Sequence, residues 1–459
     1  MITLFNTLSG KKEPFKPIKT GKVSIYSCGP TVYAEQHIGN MRSMLLADLL
    51  IRMFEYNKYK VNHIINYTDV GHLTSDRDEG EDKIELAAKK EHLTAKAITQ
   101  KYIDLFEKDI KKLNIELGKR VRATDTIKEQ IELIKKLEKK DYTYKTSEGI
   151  YFNTGRFKSY GQLAGFGEAE IKAGVRIAKG GKKHNTDFAL WKFSGEEKRL
   201  QEWDSPWGRG FPGWHIECSA MSMKYLGKHF DIHTGGQDLS QVHHNNEIAQ
   251  SECATGKKFV NCWMHGGFLM YGGEKVSKSK GGLYTVSELE SLNYDPLHYR
   301  YLCLLTHYKK PLNFSIENLE AAKNAYERLK RKIIEIKKET HKGSDLTKQY
   351  ESAFLEAIND DLNIPKAMQV LWEAVDNFDF NTKKKIKLLE KFDSVLGLNI
   401  KSFKEQKIVI PEKVQTLVDQ RESLRAQKKW AEADVIRERI HSLGFTIKDT
   451  PKGPELEKS

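Results

Sequence analysis

Residues 22–67 constrain the fold of this chain more than any other stretch. Lys22–Cys28 alternates apolar and polar residues as a strand does, and Gly29-Pro30 breaks it. From Ile38 to about Tyr56 the apolar residues Met41, Leu45, Leu49 and Met53 recur at helical spacing. A second strand-like run follows, from Val61 to Tyr67. Strand, loop, helix and strand in that order predict a βαβ unit of a parallel sheet, whose ligands bind beyond the carboxyl ends of the strands. The most apolar stretch, Met44–Phe54, is interrupted by Asp48 and Arg52, so a buried helix is expected there and not a membrane span.

Beyond this unit the pattern changes. A helix is predicted over Thr126–Lys139, followed by short strands and glycine-rich turns to about residue 200, which reads as an insertion splitting the α/β domain. Strand and helix signals return at Phe230–His233 and His243–Ala254. Ile316–Leu396 is largely helical with lysine-rich faces, and a charged link, Lys401–Lys407, leads to a last unit. There Leu417, Leu424, Val435, Ile436, Ile440 and Leu443 stripe two helices, Gly444 stops the second, and Phe445–Ile447 is a short strand. At 459 residues the chain exceeds a single core.

A net charge of +13 favours a polyanionic partner, because lysines and arginines that meet phosphates release counterions. The five cysteines (Cys28, Cys218, Cys253, Cys262 and Cys303) are odd in number and scattered, which suits a reducing cytoplasm and no disulfide framework. No secretory apolar segment is expected near Met1, since Ser9, Lys11 and Lys12 arrive first.

Three constellations carry chemistry. Cys28-Gly-Pro-Thr-Val-Tyr33 is followed by His37-Ile-Gly-Asn40 at a strand end and helix start. Gly39 leaves room for a flat base against the backbone, and His37 and Asn40 can donate to phosphate oxygens at a helix N-terminus. Simple helix capping by the same two residues is the alternative. Lys275-Val-Ser277-Lys278-Ser279, running into Gly281-Gly282, makes a loop able to close on polyphosphate; a solvated lysine loop is its alternative. Finally, His243 and Glu247 are four apart in a helical segment and project from one face, like ligand pairs in helical zinc sites. Cys218 and Cys28 are candidate thiols, but His244 and His215 are equal candidates on the residues alone.

The first two motifs, in this order, resemble the two signatures of class I aminoacyl-tRNA synthetases. With Gly213-Trp-His-Ile-Glu-Cys-Ser-Ala220, His243-His-Asn-Asn-Glu-Ile-Ala-Gln250 and Asp187-Phe-Ala-Leu-Trp-Lys192, the chain resembles the cysteinyl-tRNA synthetase family over nearly its whole length. Trp203–Gly208, Asp360–Pro365, Trp430–Asp434 and Lys448–Gly453 extend the match.

The resemblance implies an α/β Rossmann catalytic domain with an inserted connective subdomain, then an α-helical bundle and a small α+β C-terminal domain. The corresponding spans are 1–119 and 205–265 for the two catalytic halves, 120–204 for the insertion and 266–313 for a stem-contact region. Residues 314–400 form the bundle and 401–459 the anticodon-recognition domain. By the same resemblance Cys28, Cys218, His243 and Glu247 hold one Zn²⁺ per chain. His37, Gly39, Asn40, Gly235, Gly236, Asp238, Lys275, Ser277 and Lys278 surround ATP with its Mg²⁺, and His37, Asn40, Lys275 and Lys278 are the catalytic set. Thr31, Thr68 and Trp214 surround L-cysteine; a structural turn at Gly235–Asp238 and a core role for Trp214 are the alternatives. The implied partner is tRNA(Cys), and a cytoplasmic monomer is expected.

The chain departs from the family pattern at Val276, Asn245, Phe211 and Thr234, and over residues 70–83. None of these is in the proposed zinc set. Two rival readings share the fold: a cysteine ligase acting on an amino-sugar inositol, and an inactive tRNA-binding paralogue. The C-terminal units argue against the first, and the intact His37, Lys275, Lys278 and zinc set against the second.

Overall fold

A computed structural model describes residues 1–70, 81–164, 181–195, 199–272, 284–405, 411–450 and 453–458, with the backbone alone of 450, 455, 457 and 458, and the backbone alone of 274–275. The chain opens with a hairpin of β1 (Thr3–Asn6) and β2 (Lys11–Pro14). The βαβ unit follows as β3 (Lys22–Ser27), α1 (Ile38–Tyr56) and β4 (Lys60–Tyr67), with β3 and β4 parallel. Helices α2 (Lys83–Glu91) and α3 (Ala95–Lys112) lead to β5 (Lys119–Arg122), which pairs with β4.

Next come α4 (Ile127–Glu138) and an antiparallel sheet of β6 (Thr143–Lys145), β7 (Gly149–Phe152), β8 (Phe188–Phe193) and β9 (Gly210–Pro212). The chain then returns to the main sheet through α5 (Trp214–Leu226), β10 (Phe230–Gly236), α6 (His243–Thr255) and β11 (Val260–Gly266). The strand order β11-β10-β3-β4-β5 is parallel throughout. The strand β5 straddles the 119/120 boundary drawn from the sequence, and β9 lies beyond residue 204.

This order places the functional region. From β3 the chain crosses to β4 on one side, while β10 occupies the other side, so the topology switches at the carboxyl end of β3. Open parallel sheets bind ligands in the crevice at such a point. Cys28 is the first residue past β3, and its N–H donates to Thr234 O of β10 at 3.1 Å.

Burial explains why α1 tolerates its charges. Every residue from Met44 to Phe54 is buried. Asp48 accepts from Arg52 at 2.7 Å and from Arg300 at 2.6 Å, so the carboxylate has paid for its desolvation with two charge-assisted bonds.

A second small sheet, β12 (Leu269–Tyr271), β13 (Glu274–Lys275) and β14 (Leu312–Phe314), lies around the short helices α7 (Val286–Ser291) and α8 (Pro296–Leu304) in sequence. Thr285 and Glu288 cap α7 reciprocally, and Asp295 with Pro296 starts α8. Four helices follow: α9 (Ile316–Lys338), α10 (Thr347–Asn359), α11 (Ile364–Asp376) and α12 (Thr382–Leu396).

The chain divides into two compact units, Met1–Lys401 and Ser402–Ser459. The second contains α13 (Glu412–Ala426), α14 (Trp430–Ser442) and a hairpin of β15 (Phe445–Thr450) and β16 (Gly453–Lys458). Val414, Leu417, Val418, Ile440, Phe445 and Ile447 form its core. Arg421 clamps the hairpin to α13 through a bidentate pair with Asp449, both bonds 2.9 Å.

Candidate functional site

Four side chains from three parts of the sequence meet beside the switch point. Cys28 comes from the end of β3, Cys218 from α5, and His243 and Glu247 from successive turns of α6. Their ligand atoms all lie within 4.8 Å of one another, and all four residues are buried. The two sulfurs are 4.0 Å apart, Cys28 Sγ is 3.8 Å from Glu247 Oε1, and His243 Nε2 is 3.1 Å from the same oxygen.

Two thiols, an imidazole and a carboxylate are a donor set that zinc accepts. The donor atoms turned away from this centre are held by neighbours: His243 Nδ1 lies 2.9 Å from His215 Nδ1, and Glu247 Oε2 lies 3.0 Å from His233 Nε2. Such outer contacts orient metal ligands. Of the two open alternatives in the sequence, His215 stands outside the quartet, whereas His244 Nε2 lies 3.3 Å from Cys28 Sγ and stays a candidate ligand. His215 backs His243, while His244 begins a chain through His265 at 2.7 Å to Thr7 at 2.8 Å.

A second combination, Cys28, His233, His244 and Glu247, is equally compact. It offers one thiol where the first offers two, and thiolates are the donors that discriminate for zinc.

The charges follow from the packing. The Cys28 thiol, hydrogen-bonded to Cys218, and the His243 ring hold Cys218 down at about 6 against burial and the Glu247 charge. Burial, joined by Cys218 and Glu247, pushes Cys28 well up. His243 rises to about 10 against burial because Cys218 and Glu247 favour its charged form. Glu247 stays at about 2 despite burial, through His233 and His243. The negative charge thus rests on Cys218 and Glu247 while Cys28 and His243 keep their protons, which metal binding would have to displace.

A cavity of about 430 Å³ opens above Cys28 and extends along the start of α1. His37 is the N-cap of α1, and its Nδ1 accepts from Asn40 N at 3.3 Å. In the neutral ring that acceptor leaves the proton on Nε2, which makes Nε2 a donor for an anion in the cavity. Capping and anion contact are therefore compatible roles.

Gly39 has no side chain for a specific reason: a Cβ there would lie 2.9 Å from the His37 ring. Gly39 itself lines the cavity, between His37 and Asn40.

Asn40, Gly236 and Asp238 also line the cavity, whereas Gly235 is buried below it, where a Cβ would meet His244 at 2.7 Å. Thr31 lines the cavity and bridges in parallel to Thr68. Thr68 is 2% exposed and accepts from Asn66 at 3.1 Å. Trp214, the first residue of α5, lines the cavity with its ring centroid 4.4 Å from that of His243. Ser277 and Lys278 lie outside the described residues; Lys275 ends β13, paired with Met270 of β12.

Several contributors were not singled out from the sequence. Arg42 of α1 donates to the carbonyls of Gly267 at 2.6 Å, Phe268 at 2.8 Å and Lys310 at 2.5 Å. It thereby fixes the backbone of the cavity wall at Gly267–Phe268. Lys83 lines the cavity from the start of α2. Arg42 follows Asn40 by two residues and is detectable as a charge on an otherwise apolar helical face; Lys83 carries no comparable local signal.

Comparison with known proteins agrees with this geometry. Residues 14–324 match the family model of the tRNA synthetases class I (C) catalytic domain, and residues 409–455 match the cysteinyl-tRNA ligase anticodon binding domain. Cysteine–tRNA ligase 1 of Burkholderia lata is 47% identical over 459 residues, covering 99% of this chain and 96% of the relative. The cysteine–tRNA ligase of Zymomonas mobilis subsp. mobilis is 40% identical over 497 residues, covering 98% and 96%. Among solved structures, Mycobacterium tuberculosis methionyl-tRNA synthetase in complex with methionyl-adenylate superposes with a TM-score of 0.58. That match covers 83% of this chain and 92% of the other at 14% identity, a likeness of fold alone. A class I catalytic model over most of the chain, and relatives this similar along nearly all of it, show that the chain belongs to the cysteine–tRNA ligase family of class I aminoacyl-tRNA synthetases.

Proposed function

We propose that this enzyme activates L-cysteine with ATP to cysteinyl-adenylate and transfers the cysteinyl group to the 3′-terminal adenosine of tRNA(Cys), with zinc selecting the thiol. The observation that carries this reading is the convergence of Cys28, Cys218, His243 and Glu247 at one side of a cavity whose other side is the His37–Asn40 start of α1. One end suits a thiol and the other a phosphate.

Activation is attack of the cysteine carboxylate on the α-phosphorus of ATP, with release of pyrophosphate. The carboxylate is ionised at neutral pH, so no general base is needed and the protein's work is positioning and charge stabilisation. His37 Nε2 and the N-terminal amides of α1 face the phosphates, with Lys275 and Lys278 as further cations in this role and Mg²⁺ accompanying the nucleotide. Trp214 and Thr31 bound the amino acid, and Thr68 supports Thr31. In the second step the terminal ribose hydroxyl, the 2′-hydroxyl in a class I enzyme, attacks the adenylate carbonyl and AMP departs.

Shape alone would reject serine poorly, since a near-isosteric rival is excluded by only about 10–200-fold in a simple pocket. Zinc held by the quartet would supply a Lewis acid that favours a thiolate over a hydroxyl.

The helical bundle (314–400) and C-terminal domain (401–459) serve tRNA recognition in this reading, with the insertion (120–204) and the 266–313 region near the acceptor end. The match of residues 409–455 to an anticodon binding domain supports tRNA over an amino-sugar acceptor. The enzyme acts as a monomer in the cytoplasm; among the described residues no helix is long and apolar enough to cross a membrane.

The reading is tested by ATP–pyrophosphate exchange, with cysteine or serine, before and after zinc is stripped by a chelator. It predicts exchange with cysteine at least about 100-fold above serine, lost with the metal and restored by zinc. Equal exchange with both amino acids, or full exchange without metal, would overturn it.

A further inference from the structure

The turn between α10 and α11 carries two consecutive residues in a backbone conformation that suits neither. Asp361 and Leu362 have φ of 56° and 51°. Left-handed backbone is unfavourable for any side chain with a Cβ, and it persists only where the surroundings impose it. Both residues are buried. They lie in the Asp360–Pro365 stretch, to which the reaction as described gives no role.

The contacts of Asp361 explain what imposes the conformation. Its N–H donates to Thr3 O at 2.9 Å. One carboxylate oxygen, Oδ1, accepts from Phe5 N at 2.7 Å and from the Tyr308 hydroxyl at 2.7 Å. Its carbonyl accepts from His307 Nε2 at 2.9 Å. A single residue therefore ties β1 and the His307–Tyr308 segment to the bundle, reaching that segment with both its carboxylate and its carbonyl.

The segment held in this way is the back of the cavity wall. The Tyr308 carbonyl accepts from Gly267 N at 2.8 Å, and Leu312 N donates to Phe268 O at 2.9 Å. A Cβ on Gly267 would lie 2.7 Å from the carbonyl oxygens of both Lys309 and Lys310, so the two stretches meet backbone to backbone. Gly267, Phe268 and Leu269 line the cavity. Leu269 Cβ would be 3.6 Å from a Cβ on Gly39, which puts this wall beside the start of α1, the phosphate end. Arg42 grips the carbonyls of Gly267 and Phe268 from α1, and Tyr308 grips the Gly267 N–H from behind.

We propose that Asp361 is a positioning residue for the nucleotide: acting through Tyr308, it sets the place of the Gly267–Phe268 wall against which ATP binds. Asp361 is argued to touch neither the substrates nor the reacting atoms. This inference rests on the ligase reading above.

The test uses the full chain, loaded with zinc, as wild type, Tyr308→Phe, Asp361→Ala, Asp361→Asn and the double variant Tyr308→Phe with Asp361→Ala. Cysteine-dependent pyrophosphate exchange is measured against ATP and, separately, against cysteine. Tyr308→Phe and Asp361→Ala should each raise the KM for ATP about 10-fold, with the KM for cysteine and the zinc content unchanged. Asp361→Asn keeps an oxygen that accepts both bonds and tolerates the left-handed backbone, so it should stay near wild type. The double variant should be no worse than the worse single one, because both changes cut the same link.

A KM for ATP within about twofold of wild type in Tyr308→Phe would overturn the proposal. So would equal rises for ATP and cysteine, the mark of general loosening, or effects that multiply in the double variant. Tyr308→Phe keeps the ring and the backbone, so it decides the matter if Asp361→Ala does not fold. Exchange by the wild type beside an unchanged Tyr308→Phe is failure of this inference alone. No exchange by the wild type removes the ligase reading and this inference with it.

Discussion

Gly29→Ala is a small change with a large steric consequence. A Cβ on Gly29 would lie 1.8 Å from the carbonyl oxygen of Asn66 and 2.9 Å from both its carbonyl carbon and Ile65 Cγ1. The obstacle is backbone of β4, so no rotamer change relieves it. Ordinary contact between such atoms needs roughly 3.5 Å, so the strand ends must part by well over 1 Å. They cannot part freely, because β3 and β4 are in register up to Ser27 and Ile65, and Gly29 N donates to Asn66 Oδ1 at 2.9 Å. The strain falls between Cys28, a proposed zinc ligand, and Thr31 on the cavity wall.

Overpacking of this kind costs about 1–3 kcal/mol, which a folded domain survives. Misplacing reacting groups by about 1 Å costs on the order of 100-fold in rate. The expected outcome is a folded protein with a lower melting temperature, weaker zinc retention and cysteine-dependent pyrophosphate exchange reduced about 100-fold. Exchange within threefold of wild type would refute the claim that the close approach of β3 and β4 sets the site's geometry.

Other perturbations probe separate links. Cys218→Ala or His243→Ala should lower zinc content measured by metal analysis and weaken cysteine activation; full zinc retention in both variants would remove the quartet as the metal site. Lys278→Ala should slow adenylate formation far more than it weakens tRNA binding in a filter assay, and the reverse pattern would move Lys278 out of the active site. Deleting residues 402–459 should spare pyrophosphate exchange while impairing tRNA charging, and normal charging by the truncated chain would contradict a tRNA-reading tail.

Buried His63 makes a prediction about pH. Burial holds it down at about 3, so the folded state keeps it neutral while the unfolded chain takes up a proton below about 6.5. Its contribution to stability is complete above pH 6.5 and is lost as pH falls from there toward 3. Between pH 7.5 and 5, denaturation should show the wild type losing about 2 kcal/mol more than His63→Gln. Equal losses would show that His63 is not neutral in the fold.

What the sequence reveals here depends on the range of the interaction. The apolar repeat Met41, Leu45, Leu49 and Met53 locates α1 at Ile38–Tyr56, although that helix is buried on every side from Met44 to Phe54, and a helix begins at His243 as the local pattern suggests. The same i, i+4 spacing puts His243 and Glu247 on one face. Their meeting with Cys28 and Cys218 depends on strand order, which no local pattern encodes, and only the resemblance to a family selected those two cysteines.

The same limit applies to the shell around the quartet. His215, His233, His244 and His265 are distinguished by which ring nitrogen meets which partner, a matter of three-dimensional packing. Gly39 shows a subtler limit, since the missing Cβ makes room for His37, a neighbour two residues away whose ring direction is set by its capping bond to Asn40. Lys83 was invisible as a candidate because a lysine at the start of a helix is indistinguishable, in sequence, from any other surface lysine.

The central claim is that a thiol-selective centre and a phosphate-binding helix start act together to charge tRNA. The most direct measurement is aminoacylation of tRNA(Cys) by the purified, zinc-loaded protein with ATP and Mg²⁺, using labelled cysteine and, in parallel, labelled serine. The account predicts cysteine-dependent charging with no detectable serine product. Charging with serine at a comparable rate, or no charging by folded and zinc-loaded protein, would contradict it.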